Sequence, residues 1–222
     1  MSDNRGFARI SKILDENQSL AICLPVNHTI DGVAAATALY IGLAKLGKNP
    51  TLASSGIPSS TLNLKGVEKL QKELSSGGDN LVISFPYKEG VVDKITTNVE
   101  DNQFNLIIYP QKGSGKLDPS KVKYRFKGGS VDALFIIDVP TLQSLGELYT
   151  NNKDLFTGVD IINIDRHVTN KNFGSVNLVN KKISSLSELI FDLLIYLKVQ
   201  IDKDIATNLY AGISAATNNF TS

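Results

Sequence analysis

Residues 20–33 read LAICLPVNHTIDGV, an apolar run that stops at a polar turn holding an asparagine, a histidine and an aspartate. A run of this kind reads as a strand buried on both faces, and strands of that type belong to parallel sheets. Three further runs have the same character: residues 80–85 (NLVISF), 131–137 (VDALFII) and 159–164 (VDIINI). Helical patterns lie between and after them. Residues 33–46 place Leu39, Leu43 and Leu46 on one face and stop at Gly47, a normal helix-ending glycine. Residues 61–74 read as a second helix, with Leu70 and Leu74 four apart. Ser185-Leu-Ser-Glu188 is a capping-box pattern that opens an apolar helix through Leu197, and Asp202 is placed to cap a last helix over residues 203–216. Strands alternating with helices predict an α/β fold, a parallel sheet with helices on both faces.

Residues 84–126 break that rhythm. VVDKITTNV, FNLIIYP and KVKYRF are short alternating segments separated by turns, and they predict an antiparallel β ribbon inserted into the α/β core. With no internal repeat and no low-complexity linker, the 222 residues read as one domain carrying that ribbon.

Composition narrows the function. Lysine plus arginine number 23 against 22 acidic residues, so no global basic field drives nucleic-acid binding. One cysteine, Cys23, excludes a disulfide framework and a cysteine-rich zinc site, and its place inside an apolar strand predicts a buried, inert thiol. Only His28 and His167 are histidines, which excludes a histidine-rich metal centre. The N-terminus lacks the apolar core of a signal peptide, and no run reaches the ~18–20 apolar residues of a membrane span. These features predict a cytoplasmic protein without membrane attachment.

In open α/β sheets, ligands bind beyond the carboxyl ends of the strands. The polar residues that follow the apolar runs are therefore the candidates: Asn27, His28 and Asp31 after the first, Asp138 after the third, and Asp165-Arg166-His167 after the fourth. Aspartate is also a common turn and helix-cap residue, but three such positions after three buried strands point to a shared site.

The segment Asp165-Arg-His167 followed by VTNKNFGSVNLV resembles the Asp-His-His signature of the DHH phosphoesterase superfamily. That superfamily includes nanoRNase/pAp phosphatases, RecJ-like exonucleases, cyclic-dinucleotide phosphodiesterases and family II pyrophosphatases. The resemblance covers the whole chain. Residues 27–48 are similar to the family's first motif, residues 134–138 (LFIID) to its second, and residues 212–220 (GISAATNNF) to its fourth. It implies the fold of the N-terminal DHH domain, with the family's C-terminal substrate-binding domain absent from residues 1–222. It also implies a site that in the family holds two divalent cations, typically manganese, to activate water and clamp phosphoryl oxygens.

Departures from the motifs erode that site. Asn27 stands for the first-motif histidine, Val33 for its second aspartate, Arg166 for the middle histidine of the third motif and Ala216 for the fourth-motif aspartate. Valine and alanine cannot ligate a hard cation, and a guanidinium has no lone pair to give. The resemblance therefore implies at most one weakly held Mn2+ or Mg2+ on Asp31 and Asp138, with Asn27 or His28 as a further ligand. Arg166 is expected to replace the second cation electrostatically beside Asp138 and Asp31. Asp165 and His167 are the residual catalytic pair, and Arg166, His167 and Thr37, the last at the start of its helix, are expected to meet phosphate. The implied function is a phosphoesterase-like protein that binds nucleotides or short oligonucleotides with turnover impaired or lost. A weak single-metal phosphodiesterase and an assembly module that forms a homodimer through the ribbon are the alternatives. Residues 112–116 (KGSGK) lack phosphate-loop spacing and read as a hairpin turn. The basic and aromatic residues from Tyr109 to Lys127 read as the outer face of the ribbon, with single-stranded nucleic acid as the alternative.

Overall fold

A computed structural model of the chain describes residues 4–56, 63–74, 80–127 and 131–221. It divides into two compact units, one made of residues 1–79 and 128–222 and the other of Asn80–Lys127.

The first unit is built on a six-stranded parallel sheet. In chain order its strands are β1 (Ser19–Cys23), β2 (Asn49–Ala53), β3 (Leu70–Gln71), β8 (Ala133–Ile137), β9 (Asp160–Asp165) and β10 (Val176–Val179), arranged β10-β9-β8-β1-β2-β3. The four strands numbered between β3 and β8 belong to the second unit. β8 is apolar throughout and β1 is apolar after Ser19, because both their faces are covered. Leu20, Ile22, Ala133, Phe135 and Ile137 join one core, with Phe7 and Ile10 of α1 (Asn4–Glu16), Leu39 and Leu43 of α2 (Ile30–Lys45), Ile190 and Leu194 of α5 (Leu186–Tyr196) and Leu209 of α6 (Lys203–Ala216). The alternate residues Ala21, Cys23, Leu134 and Ile136 face a second core with Leu148 of α3 (Glu147–Thr150) and Phe156 of α4 (Lys153–Gly158). Helices thus cover both faces, as the period of the apolar runs requires. Cys23 is fully buried, and burial pushes its thiol up to about 12, so it stays protonated. No helix among the described residues is long and apolar enough to cross a membrane.

Helix starts follow local chemistry. Thr29 caps α2 by accepting from the Gly32 amide at 2.9 Å, Ser185 caps α5 through the Ser187 amide, and Asp202 caps α6 through the Ile205 amide. The α2 cap lies four residues earlier in the chain than residue 33, the start read from the sequence.

Two expectations are corrected. Residues 61 and 62 of the expected second helix lie outside the described residues, and residues 63–74 hold no α-helix. Gly66 takes a left-handed conformation at φ 82°, Val67–Lys69 forms one 3₁₀ turn, and Leu70–Gln71 pairs with β2 as an edge strand. The buried Asn208 side chain holds the turn, accepting from the Lys65 amide at 2.9 Å and donating to its carbonyl at 2.8 Å. These tertiary bonds outweigh the modest helical propensity of the segment. The run at residues 80–85 does not enter the parallel sheet either.

That run is β4 (Asn80–Ser84), which pairs antiparallel with β7 (Lys123–Lys127) in the second unit. A hairpin of β5 (Val92–Glu100) and β6 (Gln103–Pro110) completes the insertion, turning through Asp101 and Asn102, both left-handed. Its register places Ile95, Val99, Phe104, Leu106 and Ile108 on one face and Lys94, Asn98, Asn105 and Tyr109 on the other. Lys94 covers the Tyr109 ring with its ammonium 4.7 Å from the centroid. Among residues 80–127, no side chain that is described is buried. Residues 112–116 form a loop after β6 in place of the expected hairpin turn, because β6 and β7 do not pair.

Candidate active site

β8 and β9 are neighbours in register, Ile137 opposite Ile164. The next residue of each strand, Asp138 and Asp165, therefore stands beside the other at the carboxyl end of the sheet. The Asp138 amide donates to the Ile164 carbonyl at 3.1 Å while its own backbone turns left-handed at φ 63°. Aspartate tolerates that conformation better than most residues, and such strain collects at functional positions.

Asp165 is fully buried. Its Oδ1 lies 2.6 Å from His167 Nδ1, and its Oδ2 accepts from Asn170 Nδ2 at 2.5 Å. The His167 side chain is 43% exposed, and its Nδ1 also lies 3.8 Å from Asp138 Oδ1. Asp138 is buried and among the described residues accepts one side-chain hydrogen bond, from Thr29 Oγ1 at 2.8 Å. Burial, the dominant cause, pushes the Asp138 carboxyl above the usual carboxylate range; nearby Asp165 and Asp31 push the same way, while Thr29 and His167 oppose. Ligand atoms of Asp138, Asp165 and His167 all lie within 4.8 Å of one another.

Two carboxylates and an imidazole are a donor set suited to Mn2+ or Mg2+. A buried carboxylate with a single donor is a group that gains from a cation. The residues present therefore fit a divalent ion.

The structure gathers Asp138, Asp165 and His167 and leaves the other expected site residues elsewhere. Asp31 is the main departure. Its Oδ1 accepts from Ser185 Oγ at 2.8 Å, Ser187 Oγ at 2.7 Å and the Ser187 amide at 3.0 Å, and its Oδ2 accepts from the Leu186 amide at 2.7 Å. The carboxylate is committed to the start of α5 and does not join the cluster. A Cβ on Gly212 of α6 would sit 2.9 Å from Asp31 Oδ1 and 2.0 Å from Ser187 Oγ, so glycine is what lets α6 lie against this cap.

Thr37 is corrected too. It lies inside α2, not at its start, and its buried hydroxyl donates to the Val33 and Ala34 carbonyls and accepts from Asn208 Nδ2, so it does not face a phosphate. His28 points its Nδ1 at the Pro25 carbonyl, 3.4 Å away, and does not join the cluster, while Asn27 is exposed. Arg166 donates from Nη1 to the Ser184 carbonyl at 3.0 Å, and among the described residues it forms no ion pair with Asp31 or Asp138. That overturns its role as an electrostatic stand-in for a cation. The reason is local: Asp31 is already satisfied by four donors, and the ring that lies beside Asp138 is that of His167.

Gly32 and Asn170 were not read from the sequence as site residues. A Cβ on Gly32 would come 2.6 Å from Asp138 Oδ2. Gly32→Ala is therefore expected to displace that carboxylate and weaken Mn2+ binding by ~10–100-fold, the usual cost of disturbing a ligand's support. Calorimetric titration checks it, and unchanged affinity would show that Asp138 does not hold the ion. The glycine carried a signal, since a glycine in the first turn of a helix asks what approaches it.

A doubly covered parallel sheet with a carboxylate–histidine cluster at the ends of two adjacent strands is an α/β domain with its site where open parallel sheets place theirs. The family described as "DHH family, N-terminal domain" matches residues 20–213, and the chain belongs to that family. Among solved structures, an exopolyphosphatase-related protein from Bacteroides fragilis is similar over 99% of this chain, with a TM-score of 0.65 and 16% identity. The chain spans 52% of that protein's length.

Proposed function

We propose that this domain binds the phosphate groups of nucleotides or short oligonucleotides at one divalent cation held by Asp138, Asp165 and His167, with phosphoester turnover strongly impaired. The Asp138–Asp165–His167 cluster carries this reading. A cation bound there would polarise a phosphoryl oxygen and lower the pKa of a coordinated water. A second ion has no equivalent support: Val33, Arg166 and Ala216 stand at three ligand positions of one of the family's two ions, and Asp31, counted toward the other, is engaged by α5.

The chain's own residues supply binding and orientation. Asp165 fixes the His167 ring through Nδ1, so the imidazole is presented in one orientation at an exposed position. Arg166 spends one N–H on the Ser184 carbonyl, and its remaining donors suit a phosphate oxygen. Loss of the second ion removes one half of the clamp on attacking and leaving oxygens, which is why binding is expected to outlast turnover.

Manganese titration by calorimetry, paired with hydrolysis assays on pAp and a short oligoribonucleotide, tests the reading. One Mn2+ per chain with negligible turnover is expected. Robust turnover that rises with manganese and vanishes in Asp138→Ala would replace this reading with that of a working single-metal phosphodiesterase. Two ions per chain would overturn the ligand argument.

A further inference from the structure

We infer that Asn170 is a positioning residue that sets the spacing of the Asp138 and Asp165 carboxylates; this rests on the proposed cation site. Asn170 is buried in the loop that follows His167, and its amide is fully engaged. Its Nδ2 donates to Asp165 Oδ2 at 2.5 Å and to the carbonyl of Val139, the residue after Asp138, at 3.1 Å. One NH2 group thus grips the side chain of one carboxylate and the backbone beside the other.

The amide itself cannot turn. Its Oδ1 accepts from Asn163 Nδ2 at 2.9 Å and from the Asn172 amide at 2.7 Å. A rotated amide would aim its oxygen at Asp165 Oδ2 and at the Val139 carbonyl, setting acceptor against acceptor in a buried place. Asn163 is anchored in turn, donating to Asn177 Oδ1 at 3.0 Å across the β9–β10 pair. Among the described residues the Asp165 carboxylate has two partners, Asn170 and His167. Without Asn170 the carboxylate loses the bond that fixes its rotation, and the strand end bearing Asp138 loses its tie to the same point.

Ser175 provides the control. Its Oγ donates to Asp160 Oδ1 at 2.7 Å and to the Ile161 carbonyl at 3.2 Å, so it ties the same loop to β9 without touching Asn170, Asn163 or either carboxylate. Asn170→Ala removes the clamp. Asn170→Asp keeps the shape but sets a second carboxylate against Asp165, and serves if the alanine variant folds poorly. Ser175→Ala loosens the loop alone.

Two measurements are made on the full chain: Mn2+ affinity, and the downfield NMR signal of the His167 Nδ1–H in metal-free protein. Both Asn170 variants are expected to bind Mn2+ ~10–100-fold more weakly and to lose the Nδ1–H signal, with Ser175→Ala keeping wild-type affinity and signal. Equal losses in Ser175→Ala, tracking its change in melting temperature, would reduce Asn170 to loop support and overturn the inference. So would wild-type behaviour in both Asn170 variants. If the wild-type protein binds no Mn2+, the cation reading fails on its own, and the Nδ1–H signal still decides the role of Asn170.

Discussion

Asp31→Ala is expected to lower the free energy of unfolding by about 3–5 kcal/mol, since several buried donors are left without an acceptor at a cost of ~1–3 kcal/mol each, less whatever relaxation recovers. The four donors now served by Asp31 are two serine hydroxyls and two amides at the start of α5. All belong to buried residues; the Ser187 amide keeps the Ser185 hydroxyl as acceptor, and the other three lose theirs. Capping by Ser185 continues, since the Ser187 amide also donates to its hydroxyl, so the helix forms but sits on an unsatisfied base. Asp31→Asn keeps one acceptor and turns an NH2 toward donors, so an intermediate loss is expected. Urea unfolding of metal-free protein measures both. A loss below about 1 kcal/mol, of the size of one ordinary hydrogen bond, together with weakened Mn2+ binding, would return Asp31 to the cation site.

Asp138→Asn is expected to do the reverse: to stabilise the metal-free protein at neutral pH while abolishing cation binding. Burial holds the Asp138 carboxyl above its ordinary value, so the folded state binds the proton more tightly than the unfolded chain. The stability contributed by this group is complete below the unfolded pKa of ~3.9 and is lost as pH rises through the elevated folded value. Asparagine carries no charge to lose, tolerates the left-handed backbone at φ 63°, and can still accept from Thr29 Oγ1. A gain of about 0.5–2 kcal/mol at pH 7, absent at pH 3, is expected from thermal unfolding. Mn2+ affinity should fall by more than the ~10–100-fold that a lost outer partner costs. A destabilised variant at pH 7 would mean that the ionised carboxylate is well solvated or paired in the folded protein.

The apolar runs ending at residues 137 and 164 revealed the parallel sheet because a strand buried on both faces has little freedom to be anything but apolar. Asp138 and Asp165 were legible for the same reason, as charged residues set directly at the ends of such runs. The run at residues 80–85 looks the same yet lies in the insertion, since a short apolar run does not say which sheet it joins. β2 and β10 are short and carry polar residues, Asn49 and Asn177 among them, so their strand character comes from pairing with neighbours. The motif correspondence placed Asp31 in the metal site, whereas the structure gives its carboxylate to α5. Which way a helical carboxylate turns depends on donors from a segment more than 150 residues away, and no local pattern records that. Asn170 was missed because a lone asparagine in a polar loop looks like turn chemistry until its partners are known.

The insertion has a consequence for cooperativity. Val99 and Phe104, opposite one another in the hairpin, are 72% and 71% exposed, and no described side chain of residues 80–127 is buried. A two-stranded ribbon that buries no apolar surface of its own is marginally stable, and its backbone amides are expected to exchange with solvent faster than those of β8 and β9.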